Sequence, residues 1–213
     1  MSQRAQRTIP LRAVVFDVGN VLYGWDISRL YSQLIPDPDR LRWFLDNVVT
    51  PDWHFQHDRG RPSAETVAEL SAQYPEQADL IGLYVPRWLD TITGPVPGMV
   101  EIVEALAARG VPLYAITNFS AEFWPAFRAG APLFDHFIDI VVSGVEKLVK
   151  PDPAIYRLAL RRFGLQPGQG LFVDDRIENV RAGEAHGFPG HHFSPEAGGA
   201  ARLRARLEAE GLL

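Results

Sequence analysis

The chain has 213 residues, of which 46% are apolar and 22% charged, with a formal net charge of −5. That length supports one sizeable core, or a core plus a smaller lobe, and that composition belongs to a folded chain rather than a disordered one. The acidic balance, without any Lys/Arg cluster, argues against a nucleic-acid partner, and the lack of cysteine excludes disulfides, thiolate metal sites and cysteine nucleophiles.

Residues 1–10 (MSQRAQRTIP) lack the apolar stretch of a signal peptide and read as a disordered leader. No segment approaches the length of a membrane span, so a cytoplasmic chain with no membrane partner is expected, as monomer or homodimer. Ala13 to Phe16 is a short apolar run ending at Asp17, with Gly19 and Asn20 behind it. Runs of this kind read as buried strands of a parallel sheet.

From about 26 to 93 the pattern changes to helical spacing. Ile27, Leu30, Tyr31 and Leu34 make one stripe; Leu41, Phe44, Leu45 and Val48 make a second; Ile81, Tyr84, Val85 and Trp88 make a third. Between them Ser63 is placed to cap a helix carrying Val67, Leu70 and Tyr74. The stretch reads as free of strand. It is expected to be a helical cap, residues 26–93, inserted into a core made of residues 11–25 and 94–213. The segment GPVPG (94–98) would be its return hinge.

After residue 98, strand and helix alternate. Met99, Ile102, Val103 and Leu106 predict a helix closed by Gly110. Strands are expected at Leu113–Thr117, Ile138–Val142, Gly170–Val173 and Gly190–Phe193. Asp152 and Pro153 open a helix that stops at Gly164, and Arg176 to His186 make another. This alternation predicts an α/β fold, a parallel sheet with helices on both faces.

The strand ends carry the chemistry, because ligands of open parallel sheets bind beyond the carboxyl ends of the strands. Asp17 ends the first strand, Thr117 and Asn118 the second, and Asp174 and Asp175 the fourth; Lys150 follows the third. Lys147 and Lys150 are the only lysines in the chain. Three acids brought together repel one another unless a cation joins them, and a hard divalent ion such as magnesium suits oxygen ligands. With Lys150 as a compact positive charge and Thr117 and Asn118 as donors, such a site suits a phosphate dianion.

The segments FDVGNVL (16–22), ITN (116–118), the lysine–proline pair at 150–151 and FVDD (172–175) with Asn179 downstream resemble the four motifs of the haloacid dehalogenase-like hydrolases. The resemblance runs from about residue 13 to 193 and implies a Rossmann-like core with a small all-helical cap. It implies that Asp17 is the nucleophile and a Mg2+ ligand, with the Gly19 carbonyl and Asp175 as further ligands and Asp174 either ligating the ion or orienting a coordinated water. It also implies that Thr117 and Asn118 bind the phosphoryl group while Lys150 offsets its charge. The reaction implied is hydrolysis of a small phosphate ester through an aspartyl-phosphate.

Most phosphatases of the family carry an aspartate two residues after the nucleophile as general acid and base, and the dehalogenase branch usually a tyrosine. Here that residue is Gly19. The DxGN form resembles a subgroup that includes glucose 1-phosphate phosphatases, so a sugar phosphate is the expected substrate. An anomeric oxygen leaves readily and needs less help from an acid.

Within the cap, Trp43 and Trp88 are expected to pack the lobe, with Trp25 and Asp26 at the hinge near the cleft. His57, Asp58 and Arg59 fall in a polar, Gly-containing connection and are the substrate-binding candidates, above all His57 and Arg59. His54 and His57 have no third partner for zinc. Two alternatives stand beside the phosphatase reading. One is a metal-free 2-haloacid dehalogenase, which the Asp174–Asp175 pair disfavours. The other is a weakly catalytic phosphate-binding or regulatory protein, suggested by Gly19.

Overall fold

The computed structural model describes residues 10–195 and 198–213, so residues 1–9 of the expected leader lie outside the described residues. Seven strands run in chain order through these residues: β1 (Ala13–Phe16), β2 (Tyr23–Trp25), β3 (Ile92–Pro95), β4 (Leu113–Thr117), β5 (Asp139–Val142), β6 (Gly170–Asp174) and β7 (Gly190–His192). Five of them form one parallel sheet in the order β5-β4-β1-β6-β7. The chain builds outward from β1 on one side through β4 and β5, then crosses to the other side for β6 and β7. The strand order therefore reverses at β1, and a crevice opens beyond its carboxyl end.

β1 is buried on both faces, which is why it reads as an unbroken apolar run. Val14 and Phe16 face one core, with Met99, Ile102, Val103 and Leu106 of α6 (Met99–Ala108) and with Leu203 and Leu207 of α11 (Gly199–Ala209). Ala13 and Val15 face the other, with Ile155, Tyr156, Ala159 and Phe163 of α9 (Pro153–Phe163). Each fully buried side chain of this size contributes about 1.5–3 kcal/mol. α7 (Trp124–Ala129), α8 (Ser143–Glu146) and α10 (Ile177–Ala185) complete the layers, giving the expected α/β fold.

Between β2 and β3 lie five helices: α1 (Ile27–Tyr31), α2 (Pro38–Asn47), α3 (Pro51–Asp58), α4 (Ser63–Gln73) and α5 (Ala78–Gly82). Asp26, Asp37 and Thr50 cap the first three through side-chain oxygens, and prolines 38 and 51 occupy the first turns of α2 and α3. β2 and β3 pair antiparallel, so the helical segment leaves and rejoins the core on two adjacent strands.

Four expectations are corrected here. The stretch to residue 93 is not free of strand, since Ile92 and Thr93 open β3. The connection expected at His57, Asp58 and Arg59 is helix as far as Asp58. Its buried face carries Trp53, His57 and Asp58, so no apolar stripe announced it. Ser63 is no side-chain cap; its hydroxyl and amide both donate to the Glu122 carboxylate. The Ile81–Trp88 stripe is not one helix, because α5 ends at Gly82 and turns follow, with Pro86 unable to continue the ladder.

Candidate active site

Asp17 follows β1 directly, its amide donating to the Val173 carbonyl at 2.8 Å and its Oδ1 accepting from the Val18 amide at 2.6 Å. Lys150 Nζ lies 2.8 Å from Asp17 Oδ2 and 2.7 Å from Asp174 Oδ2, with the ammonium wholly buried. Burial pulls Lys150 down, but Asp17 and Asp174 outweigh it and hold the ammonium above its ordinary range. Asp174 is also the acceptor for Asn179 Nδ2, at 3.0 Å, and for the Arg176 amide, at 2.8 Å. Its oxygens are thus committed to protein donors, and the residue fixes Lys150 in place.

Carboxylate oxygens of Asp17, Asp174 and Asp175 lie within 4.8 Å of one another. Burial first, then the charges of Asp174 and Asp175, raise Asp17 to about 8 in spite of Lys150. Burial and Asp174 likewise raise Asp175. One ammonium does not balance three acids in a buried place. A hard divalent cation on carboxylate oxygens would restore the balance, so the donor set fits magnesium.

Thr117 ends β4, fully buried, and its Oγ1 has no hydrogen-bond partner among the described residues. The Asn118 side chain is spent on positioning. It accepts from the Lys150 amide at 2.8 Å and donates to the Lys150 carbonyl at 3.0 Å. Gly19 lines the cleft, and a Cβ built there meets nothing within 4 Å. Asn20 takes a left-handed conformation, φ 55°, and its Oδ1 accepts from the Trp25 amide at 3.1 Å, steering the chain into β2.

Asp17, Gly19, Asn20, Asn118, Lys150 and Asp175 open onto a cleft of about 450 Å3 between the sheet end and the helical segment. From the helical side it is lined by Trp25, His54, Phe55, Asp58 and Trp88. His57 and Arg59 are not brought to it. His57 is fully buried, donating from Nδ1 to the His54 carbonyl at 2.9 Å and accepting at Nε2 from Thr66 Oγ1 at 2.8 Å. Arg59 is exposed, its guanidinium over the Phe55 ring at 4.7 Å. Asp26 is exposed too and caps α1, while Trp25 does reach the cleft. Trp43, expected to pack the lobe, is 46% exposed; Trp88 is buried as expected and also lines the cleft.

His54, Asp58 and Asn179 are the residues that sequence reasoning undervalued. The signal available for the first two was their i, i+4 spacing, which puts both on one side of α3. A larger hollow of about 680 Å3 lies beside β3, lined mainly by apolar residues and away from these acids.

The model of the haloacid dehalogenase-like hydrolases matches residues 11–187. The chain is 27% identical over 196 residues to the sesquiterpene phosphatase astK of Aspergillus oryzae, spanning 91% of this chain and 95% of that protein. It is 32% identical over 198 residues to a phosphoglycolate phosphatase of Thiobacillus denitrificans, spanning 85% and 82%. Among solved structures, a HAD family enzyme from Bacteroides thetaiotaomicron in its magnesium complex superposes with a TM-score of 0.70. It is 17% identical and is matched over 92% of this chain and 100% of that one. With the strand-end acids, the buried lysine and the parallel sheet in one arrangement, this chain belongs to the haloacid dehalogenase-like hydrolases.

Proposed function

We propose that the chain is a magnesium-dependent phosphomonoester hydrolase that works through an aspartyl-phosphate on Asp17. The observation that carries this reading is the buried cluster in which three carboxylates converge while Lys150 bridges two of them. Asp17 and Asp175 have the freer oxygens and would hold the ion, with the Gly19 carbonyl beside them. Asp174, tied to Lys150 and Asn179, positions rather than ligates. The bound ion supplies Lewis-acid polarisation of the phosphoryl oxygens.

The chain's own residues do the rest. Asp17 attacks phosphorus in line, and the unpartnered Thr117 hydroxyl and the Asn118 amide donate to the phosphoryl oxygens. Lys150 offsets their charge. Residues 26–93, acting as a cap on a core of residues 11–25 and 94–213, exclude water and contact the leaving group. The names of the phosphatase relatives support this class, and among the described residues no helix is long and apolar enough to cross a membrane. We place the protein in the cytoplasm.

The DxGN motif favours a sugar phosphate. A second substrate class, a monophosphate of an apolar skeleton, is favoured by the aromatic rings of Trp25, Phe55, Trp88 and Phe119 that line the cleft. A magnesium-supplemented panel containing glucose 1-phosphate and a prenyl monophosphate tests both. Turnover that stops on chelation and with Asp17→Asn supports the reading. Activity on a 2-haloacid that survives chelation would replace it with dehalogenation.

A further inference from the structure

The phosphatase reading leaves one chemical gap. An ester oxygen departing from phosphorus needs a proton, and Gly19, two residues after the nucleophile, has no side chain to give one. The structure puts a carboxyl group at the cleft from elsewhere. Asp58 is the last residue of α3, only 6% exposed, and it lines the same cleft as Asp17 and Lys150. Its Oδ1 is buried with no hydrogen-bond partner among the described residues. A buried, unpaired carboxyl oxygen costs about 1–3 kcal/mol or more, so a packing role alone accounts for it poorly.

The backbone around it is held firmly. Ser143 Oγ, at the start of α8, donates to the Asp58 carbonyl at 2.6 Å and accepts from the Phe119 amide at 2.9 Å. α3 is thereby tied to the loop that follows β4.

Resting on the phosphatase reading above, we propose that Asp58 is the general acid and base of this enzyme, supplied from the helical segment in place of the residue missing at Gly19. In the first step an Asp17 oxygen bonds to phosphorus and the bond from phosphorus to the ester oxygen breaks. The Asp58 carboxyl proton passes to that oxygen, releasing the alcohol and leaving an Asp58 carboxylate. In the second step the carboxylate takes a proton from water as that water's oxygen bonds to phosphorus. The Asp17–phosphorus linkage breaks, giving inorganic phosphate, the Asp17 carboxylate and protonated Asp58. Atoms and charge balance over the two steps, and no further reagent enters.

The protonation state agrees with the geometry. Burial pushes Asp58 up to about 8, against the opposing effects of the Lys150 ammonium and the Ser120 amide, so at neutral pH it holds its proton. Three other titratable groups face it. His54 Nε2, on α3 itself, is 3.6 Å from Asp58 Oδ1, too far for a hydrogen bond. Burial and His57 push His54 down to about 3, so this pair is not an ion pair. The Tyr84 hydroxyl, beyond α5, shares a hydrogen bond with His54 Nδ1 at 2.5 Å, so His54 stands between it and Asp58. Lys150, ahead of α9, is the cation that favours the carboxylate once the proton has gone.

The test compares an alkyl phosphate with p-nitrophenyl phosphate, whose leaving group needs no proton. Asp58→Asn should lower kcat on the alkyl ester by about 10²–10⁴-fold and on the aryl ester by less than about tenfold. Adding Gly19→Asp to that variant should restore part of the alkyl-ester rate, since a side chain at Gly19 meets no neighbour within 4 Å. Equal losses on both esters, or no loss on the alkyl ester, would overturn the assignment while leaving the phosphatase reading intact. A wild-type protein inert toward both esters would sink that reading and this assignment together.

Should Asp58→Asn fail to fold, the wild-type pH profile gives a second readout. The alkyl-ester rate should fall as pH rises through about 8, and the aryl-ester rate should not share that limb. The same limb on both esters would overturn the proposal.

Discussion

Lys150 Nζ lies 2.8 Å from Asp17 Oδ2, so a buried ammonium contacts the strand-end carboxylate directly. The same ammonium is 2.7 Å from Asp174 Oδ2, and one lysine therefore bridges two buried acids.

Lys150→Met should consequently damage both stability and turnover. Breaking a buried pair by removing one partner costs about 3–5 kcal/mol, because the remaining charge is left uncompensated. We expect a clear loss in a denaturant melt and a fall in kcat of about 10²–10³-fold. Lys150→Arg should not rescue activity, since a planar fork cannot replace a point charge set between two carboxylates. Native turnover in either variant would contradict this role.

Asn118 tests positioning of the same lysine through its backbone. Asn118→Ala removes both bonds to the Lys150 peptide and should cost about 1–3 kcal/mol. Its kcat should fall more than its KM rises, because the side chain holds the lysine rather than the substrate. Urea unfolding and steady-state rates on one ester read the two effects separately.

The pH dependence of stability follows from two buried groups of opposite sense. His54 is held near 3 in the folded state, so the unfolded chain binds more protons as pH drops below about 6.5, and stability is lost in that direction. Asp58 is held near 8, so the folded state binds more protons from about pH 4 to 8, and stability is lost as pH rises through that window. Asp58→Asn removes the second slope. At pH 8 it should melt above the native chain, and the gap should close toward pH 4. A variant that melts lower at pH 8 would show that the carboxyl is not buried against its charge.

The central sheet was legible because each strand is short, apolar and bounded by turn residues. The limits of the first two strands of the five-stranded sheet, Ala13–Phe16 and Leu113–Thr117, agree with the sequence pattern. Asp17, Lys150 and the Asp174–Asp175 pair were legible for the same reason, as strand-end residues in order along the chain. α3 was not. It buries a histidine and an aspartate, and an apolar stripe is the signal that would have revealed it. Without that stripe the segment resembles a connection, in which Arg59, which faces solvent, stands out more than His54, which lines the cleft. The pairing of β2 with β3 was hidden because it joins residues about seventy apart and spans only three or four residues on each strand.

Two glycines should separate close packing from open space. Gly60 has φ 82° and a Cβ there would lie 2.7 Å from the Gly144 carbonyl oxygen, so Gly60→Ala should destabilise by about 1–3 kcal/mol. Gly19→Ala meets no atom within 4 Å and should change stability by less than about 0.5 kcal/mol. A thermal melt of the two variants against the native chain decides it.

The most direct test of the account is mass analysis of the chain quenched in acid during turnover of a phosphate ester with magnesium. A phosphate adduct should appear on the peptide that contains Asp17, and Asp17→Asn should lose both the adduct and at least about 10³-fold in rate. Turnover at the native rate by Asp17→Asn, with the adduct absent from the native chain, would contradict it.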